Sequence, residues 1–478
     1  MNSDAPKILD LPIGIDATGD REEHDSHGVV LVPADHYWGA QTQRSLQHFA
    51  IGQDLMPIEV YRAYGILKQA AAIVNAGRMP VWKSELIQRV CAEVAAGELD
   101  TEFPLHVWQS GSGTHTNMNV NEVVANRSLQ LIGAVLGSQD PIHPNDDVNM
   151  CQSSNDTFPT VMHVAAYTMT TQRTVPALHR LRDALDLKSR AWAGTVKIGR
   201  THLQDATPIT VGQEWSGYVG ALADALDDLV HATEGLQELA IGGTAVGTGV
   251  NAPPGFGEQV AAQLSRLTGF AFRSATNKFT ALGTLDRMVR AHAALASTAG
   301  TVFKIANDLR WLGSGPRTGL RELILPANEP GSSIMPGKVN PTHAEAMLMV
   351  CAQIMGNDTA VRFAGSQGNL ELNTFRPLVI ANYLQSAGIL ADAADGLREF
   401  LVDGTELNER QLADNIDRSV MMVTALAPAI GYDAAAAIAH HAVEADLTLR
   451  DAAMAKGVSE ELFDSVVDPL AMTRPAQG

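Results

Sequence analysis

Through the middle of the chain, apolar side chains recur every three and four positions for tens of residues, the period of one helix face. Trp215, Tyr218, Leu222, Ala225, Leu229, Ala232, Leu236 and Leu239 form one such series, and Leu285, Met288, His292, Leu295, Ala299, Val302, Ala306 and Leu309 form another. At 1.5 Å per residue each predicts a rod roughly 36 to 40 Å long, suited to a helix bundle. Further helices are predicted to begin near Pro159, Thr342 and Pro377, each with a proline in or just before its first turn, where the missing N–H costs nothing. Upstream the pattern is mixed: short apolar stretches such as 29–32 alternate with Gly, Pro and His, and helical spacing returns around 58 to 97. From about Glu406 the pattern shortens into small helices, with breaks at Gly431 and Gly457. The fold class is therefore mainly α. A long-helix bundle is expected over residues 152–405, with a smaller mixed N-terminal domain over 1–151 and a small helical C-terminal domain over 406–478. Rods of this length expose apolar stripes that one chain cannot cover, so a symmetric oligomer is expected. Residues 1–20 are expected to form a disordered leader.

Composition narrows the function classes. The 478 residues carry 34 basic and 53 acidic side chains, a net charge of −19, with no Lys/Arg cluster and no interleaved aromatics to meet a phosphate backbone. Nucleic acid is excluded as a partner. An acidic chain that must attract an anion needs local positive groups or oriented amides, because the global field opposes the ligand. Cys91, Cys151 and Cys351 lie far apart, so neither a disulfide framework nor a zinc or iron site is indicated, and no metal or cofactor is expected. No basic start precedes an apolar core at the N-terminus, and no apolar run reaches the ~18 residues of a membrane span. The expected setting is a reducing cytoplasm.

Four segments between predicted helices are rich in Gly, Ser, Thr, Asn and His. Residues 109–119 (QSGSGTHTNMN) gather small donors whose hydroxyls and amides can surround a carboxylate, or can simply cap the next helix. Residues 143–156 run from HPND to SSND and read equally well as an Asn/Asp turn with an N-cap. Residues 199–205 (GRTHLQD) place His202 just before a long helix, where imidazole can serve as a general acid or base. Residues 329–341 (EPGSSIMPGKVNP) form a loop able to fold over a ligand, with paired Ser, one Lys and one Asn to meet it. The stretch from Gly331 to Lys338 is not a phosphate-binding loop, because five residues separate its glycines instead of four and Val339 stands where Ser or Thr would hold magnesium. Gly242 to Gly249 lacks the strand and spacing of a dinucleotide fold.

Taken together, WGAQTQRS, GSGTHTNMNVNEV, HPNDDVN, SSND, KIGRTHLQDATP, NEPGSSIMPGKVNP and VTALAPAIGYD, spread from residue 38 to 433, resemble the fumarase/aspartase superfamily. Within it they are similar to the class II fumarate hydratase family, whose iron-independent homotetramers interconvert fumarate and L-malate. The resemblance implies Ser332 as catalytic base, and His202 as the group that handles water, oriented by Glu345. It implies substrate contacts from Ser112, Gly113, Thr114, Ser153, Ser154, Asn155, Thr201, Ser333, Lys338, Val339 and Asn340. A second dicarboxylate site is implied at His143, Pro144, Asn145 and Asp146, and three chains are implied to contribute to each active site. Met150 stands where relatives carry Lys, Asp140 where a basic residue precedes HPND, and His343 where Gln is common. The first two lower the positive charge near the second site. An ammonia-lyase of the same fold is an alternative that His202 disfavours, since that branch usually carries Gln there. A catalytically silent scaffold would be expected to have lost Ser332, His202 or Lys338, and all three are present.

Overall fold

The computed structural model describes residues 5–475. The chain opens with an antiparallel hairpin, β1 (Asp20–Asp25) and β2 (Gly28–Pro33), in which Glu22 faces Leu31. Helices α1 (Ala40–His48), α2 (Ile58–Val74), α3 (Val81–Ala96), α4 (Thr114–Leu131), α5 (Ser154–Met169) and α6 (Val175–Ala191) follow. A second antiparallel hairpin, β3 (Val196–Thr201) and β4 (Gln204–Thr210), leads into α7 (Val211–Thr233). Then come α8 (Phe256–Thr268), α9 (Lys278–Gly283) and three long helices, α10 (Asp286–Leu312), α11 (Thr342–Gly365) and α12 (Arg376–Leu397). The C-terminal part holds α13 (Glu409–Arg418), α14 (Ala427–Ile430), α15 (Tyr432–Glu444), α16 (Leu449–Ala455) and α17 (Glu460–Val466). Among the described residues no helix is long and apolar enough to cross a membrane.

Both predicted rods are present, and their periodic positions from Trp215 to Leu229 and from Leu285 to Leu309 are buried. The first rod ends at Thr233, six residues short of Leu239. There the Thr233 hydroxyl donates back to the Leu229 carbonyl at 2.6 Å, and Gly235 lies in a tighter 3-10 turn that leads into a two-residue strand. The helix expected at Pro159 starts a turn and a half earlier, at Ser154. Ser153 caps it through a reciprocal capping box with Asp156, so Pro159 falls inside the helix. The leader also departs from expectation. Its first four residues lie outside the described ones, but Leu9 donates to the Leu131 carbonyl at 2.7 Å, and the buried Arg127 donates to the carbonyls of Leu11 and Pro12. Residues 9–12 are thus tied to the end of α4 by backbone groups, which a composition reading cannot foresee.

The chain divides into two compact units. One comprises residues 1–174, 228–296 and 353–389, and the other residues 175–227, 297–352 and 390–478. In the first unit α4 is buried on nearly every side, including polar Asn117, Asn119, Glu122, Asn126 and Arg127, each of which is hydrogen-bonded. In the second unit residues 416–472 share an apolar core built on Leu426, Ile438, Leu449 and Phe463.

Candidate active site

In the first unit, the glycine-rich turn and the start of α5 are brought to one place by a single buried side chain. Gly113 enters α4 with φ +78, and a Cβ there would fall 2.0 Å from the Phe158 ring, so only glycine fits. Ser110 and Ser112 share a hydroxyl–hydroxyl bond of 3.1 Å, and Gln109 accepts from both the amide and the hydroxyl of Thr116. The Gly111 carbonyl accepts the Arg376 amide at 3.2 Å. The Arg376 guanidinium reaches the Asn155 carbonyl at 2.9 Å, the acceptor that Pro159 leaves unpaired in α5 because proline has no N–H. Ser112, Thr114, Ser153, Ser154 and Asn155 are therefore held against one framework, each half-buried. The Asn155 side-chain amide donates one N–H to the Ala245 carbonyl at 2.8 Å. Beside Thr114 a cavity of about 450 Å³ is lined by Arg44, His48, Phe49 and His115. Burial, and then the neighbouring His48, push the His115 pKa down.

The 242–249 stretch has a structural use. The amides of Gly242 and Thr244 both donate to Asp156 at 2.9 Å, and with the Ser153 amide they give the fully buried carboxylate three donors. Burial still raises its pKa, and these bonds offset part of that rise.

His143 to Asp146 open a π-helical turn. The His143 ring Nδ1 accepts the amides of Asn145 and Asp146, both at 3.1 Å, so this nitrogen is turned inward as a cap. Lys83 lies nearby, paired with Asp147 at 3.0 Å. Asp140 is exposed, and Met150 contributes its carbonyl to Asn75.

In the second unit His202 does not simply precede a helix. It stands with Leu203 at the tip of the β3–β4 hairpin, between paired Thr201 and Gln204, with φ +57 and +60. Two successive left-handed residues make the turn that suits a two-residue hairpin, but it ordinarily requires Asn-Gly or similar. Each non-glycine residue there costs about 1 kcal/mol, and such strain tends to gather at functional sites. The hairpin is anchored from beneath. Lys197, fully buried, pairs with Glu214 at 2.6 Å and Glu322 at 2.7 Å, and Glu322 also binds Arg200 at 2.6 Å. Thr201 and His202 project from this anchored base into solvent.

The 329–341 loop closes on itself. Gly331 lies so near the Lys338 carbonyl that a Cβ would come within 1.7 Å of its oxygen, and the Asn340 amide donates to the Gly331 carbonyl. The Ser332 hydroxyl accepts the amides of Met335 at 3.0 Å and Ile334 at 3.3 Å. Ser333, Lys338 and Val339 are exposed, as is Glu345 in the first turn of α11. His343 stacks on Phe400 with ring centroids 4.9 Å apart. Among the described residues no hydrogen bond or ion pair joins His202 to Glu345, or Ser332 to Lys338.

Comparison with known proteins shows the family. Residues 28–356 match the family described as Lyase, and residues 422–474 match the fumarase C C-terminus. The class II fumarate hydratase of Methanosarcina acetivorans is 61% identical over 470 residues, covering 98% of this chain and 97% of that protein. This chain belongs to the class II fumarate hydratase family. The Bacillus subtilis member is 52% identical over 458 residues, covering 95% of this chain and 99% of its own. The crystal structure of class II fumarase from Schistosoma mansoni superposes with a TM-score of 0.93 at 42% identity, covering 96% of this chain and all of that one. The expected fold class, a mainly helical fumarase/aspartase-like architecture, is the one found.

Proposed function

We propose that this protein interconverts fumarate and L-malate, with Ser332 as the base that takes the C3 proton of malate. The observation that carries the reading is the pair of amides, Ile334 and Met335, that point at the Ser332 hydroxyl. A serine is a poor base unless its alkoxide is stabilised, and oriented backbone N–H groups do that without a metal. When the C3–H bond breaks, its electron pair moves into the adjacent carboxylate as an aci-carboxylate. The added charge must be held more tightly in the transition state than in the ground state. Lys338, Asn340 and the loop amides take that part, while Ser112, Thr114, Ser153, Ser154, Asn155 and Thr201 seat the substrate. The C2–O bond then breaks and His202 supplies a proton to the departing hydroxide, with Glu345 orienting the imidazole. For His143 to Asp146 we propose weak dicarboxylate binding, since Lys83, the cation bonded there, is already neutralised by Asp147.

The test is direct: fumarate supplied without ammonia should yield L-malate alone, and activity should survive exhaustive chelation. Appearance of activity only with ammonia and aspartate, or loss on chelation reversed by iron, would overturn the reading.

The proposal includes a homotetramer in the cytoplasm with active sites shared between chains. The exposed Met349, Met355 and Phe363 on α11 support an unfilled helix interface, and three free cysteines suit a reducing compartment. If Ser332 and His202 meet from different chains, refolding Ser332→Ala and His202→Asn proteins together should restore activity to ~1/4 of sites, since each residue has an even chance of being intact. Activity that stays at the single-mutant background, in mixtures shown by mass to contain hybrid tetramers, would refute site sharing.

A further inference from the structure

The seat at the start of α5 offers an anion hydroxyls and amides, in a chain whose net charge is −19. Two cations lie underneath. Lys68 on α2 and Arg376 on α12 are both fully buried in the first unit. Lys68 donates to the Asn149 side chain at 2.8 Å, and Asn149 donates in turn to the Gln152 carbonyl at 3.2 Å, immediately before the cap residue Ser153. Arg376 holds the Asn155 carbonyl, and its Nε is buried without a partner. Asp156 is the one carboxylate that acts on both cations. Lys68 also faces the Cys91 thiol from α3 and the Tyr64 ring at 5.8 Å from its own helix. From α4, Glu122 and Arg127 are engaged with residues 39–42 and with Glu93, and from α8, Glu258 and Arg266 are exposed. When both are charged, two buried cations against one carboxylate leave an excess of positive charge beneath the seat. Burying an unpaired charge is costly, and such groups cluster at functional sites.

We propose that Lys68 is a positioning residue for dicarboxylate binding: with Arg376 it supplies the positive floor that offsets the chain's negative field, and it takes up a proton as the dianion arrives. Burial pushes the Lys68 pKa down to about 7. The empty seat is therefore part neutral near pH 7, and a bound dianion favours the charged form. Binding should be tightest below pH 7 and weaken as pH rises through it, about tenfold for each pKa unit by which the dianion raises Lys68.

This inference rests on the substrate seat proposed above, and the test separates the two. Calorimetry of succinate, an unreactive dicarboxylate, at pH 7 in two buffers of different ionisation enthalpy should show a fraction of a proton taken up per molecule bound. In parallel, the KM for fumarate should rise about tenfold between pH 6 and 9 in the unaltered enzyme. It should stay low to pH 9 in Lys68→Arg, and be high and flat in Lys68→Met, with kcat changing less than KM. A merely structural lysine would give parallel KM profiles in all three. Succinate binding without proton uptake, or parallel profiles, would overturn the role of Lys68 while leaving fumarate turnover intact. If either variant fails to fold, the calorimetry of the unaltered protein still decides. A protein that binds succinate with proton uptake but does not hydrate fumarate would sink the proposed reaction instead.

Discussion

Replacing Ser332 with alanine should lower kcat by about two or more orders of magnitude while leaving thermal stability within about 1 °C of the parent. The hydroxyl lies in a loop whose neighbours are largely exposed, and the loop's closure depends on Gly331, Lys338 and Asn340, so little packing is lost. Alanine removes the only atom on which the Ile334 and Met335 amides converge. The loss should fall equally on kcat and kcat/KM, the mark of an interaction made in the transition state. Steady-state kinetics beside a melting curve would show it. Near-normal turnover would remove serine from the mechanism.

The largest effect on stability should come from Arg376→Met. Methionine fills much of the same space but leaves the Asn155 carbonyl, now bonded at 2.9 Å, without its donor, and the Leu282 carbonyl, also bonded at 2.9 Å, with only the Asn373 amide at 3.4 Å. Asn155 has no recourse within its helix, because Pro159 has no N–H to offer. The stranded carbonyl costs about 1 to 3 kcal/mol, weakening the second costs less, and Asp156 loses one of its nearby cations, so a total of roughly 2 to 4 kcal/mol is expected. That corresponds to a fall in Tm of roughly 3 to 10 °C at fixed scan rate. Arg376→Lys, which keeps the charge but not the planar fork that spans the two carbonyls, should lie between. A Tm for Arg376→Met indistinguishable from the parent would show that water or a backbone shift satisfies those carbonyls.

The long helices were legible because their signal is repeated: Leu285, Met288, Leu295 and Leu309 each restate the same face, and burial follows that face. The chemistry-bearing loops were legible by composition, since few other stretches hold Gly, Ser, Asn and His at such density. Single events were harder to read. Pro159 looked like a helix start because its compensation, the Arg376 guanidinium, lies more than two hundred residues away. His202 looked like a pre-helix residue because neither His nor Leu suggests a left-handed turn. Lys68 was missed although a signal existed: it follows Tyr61 and Tyr64 at helical spacing, on a face otherwise buried and apolar. A lysine on such a face is either paired or working, and the sequence alone does not display its partners.

The turn at residues 202 and 203 sets a limit on how this chain can be improved. Asn-Gly would relax both left-handed residues and strengthen the hairpin by roughly 1 to 2 kcal/mol, so heat selection acting on this turn alone would favour it. Under the proposed mechanism the same change removes the imidazole that handles water. A library sorted only for heat tolerance should accumulate inactive members at these two codons, whereas one sorted for turnover should keep the histidine and have only position 203 free for relief.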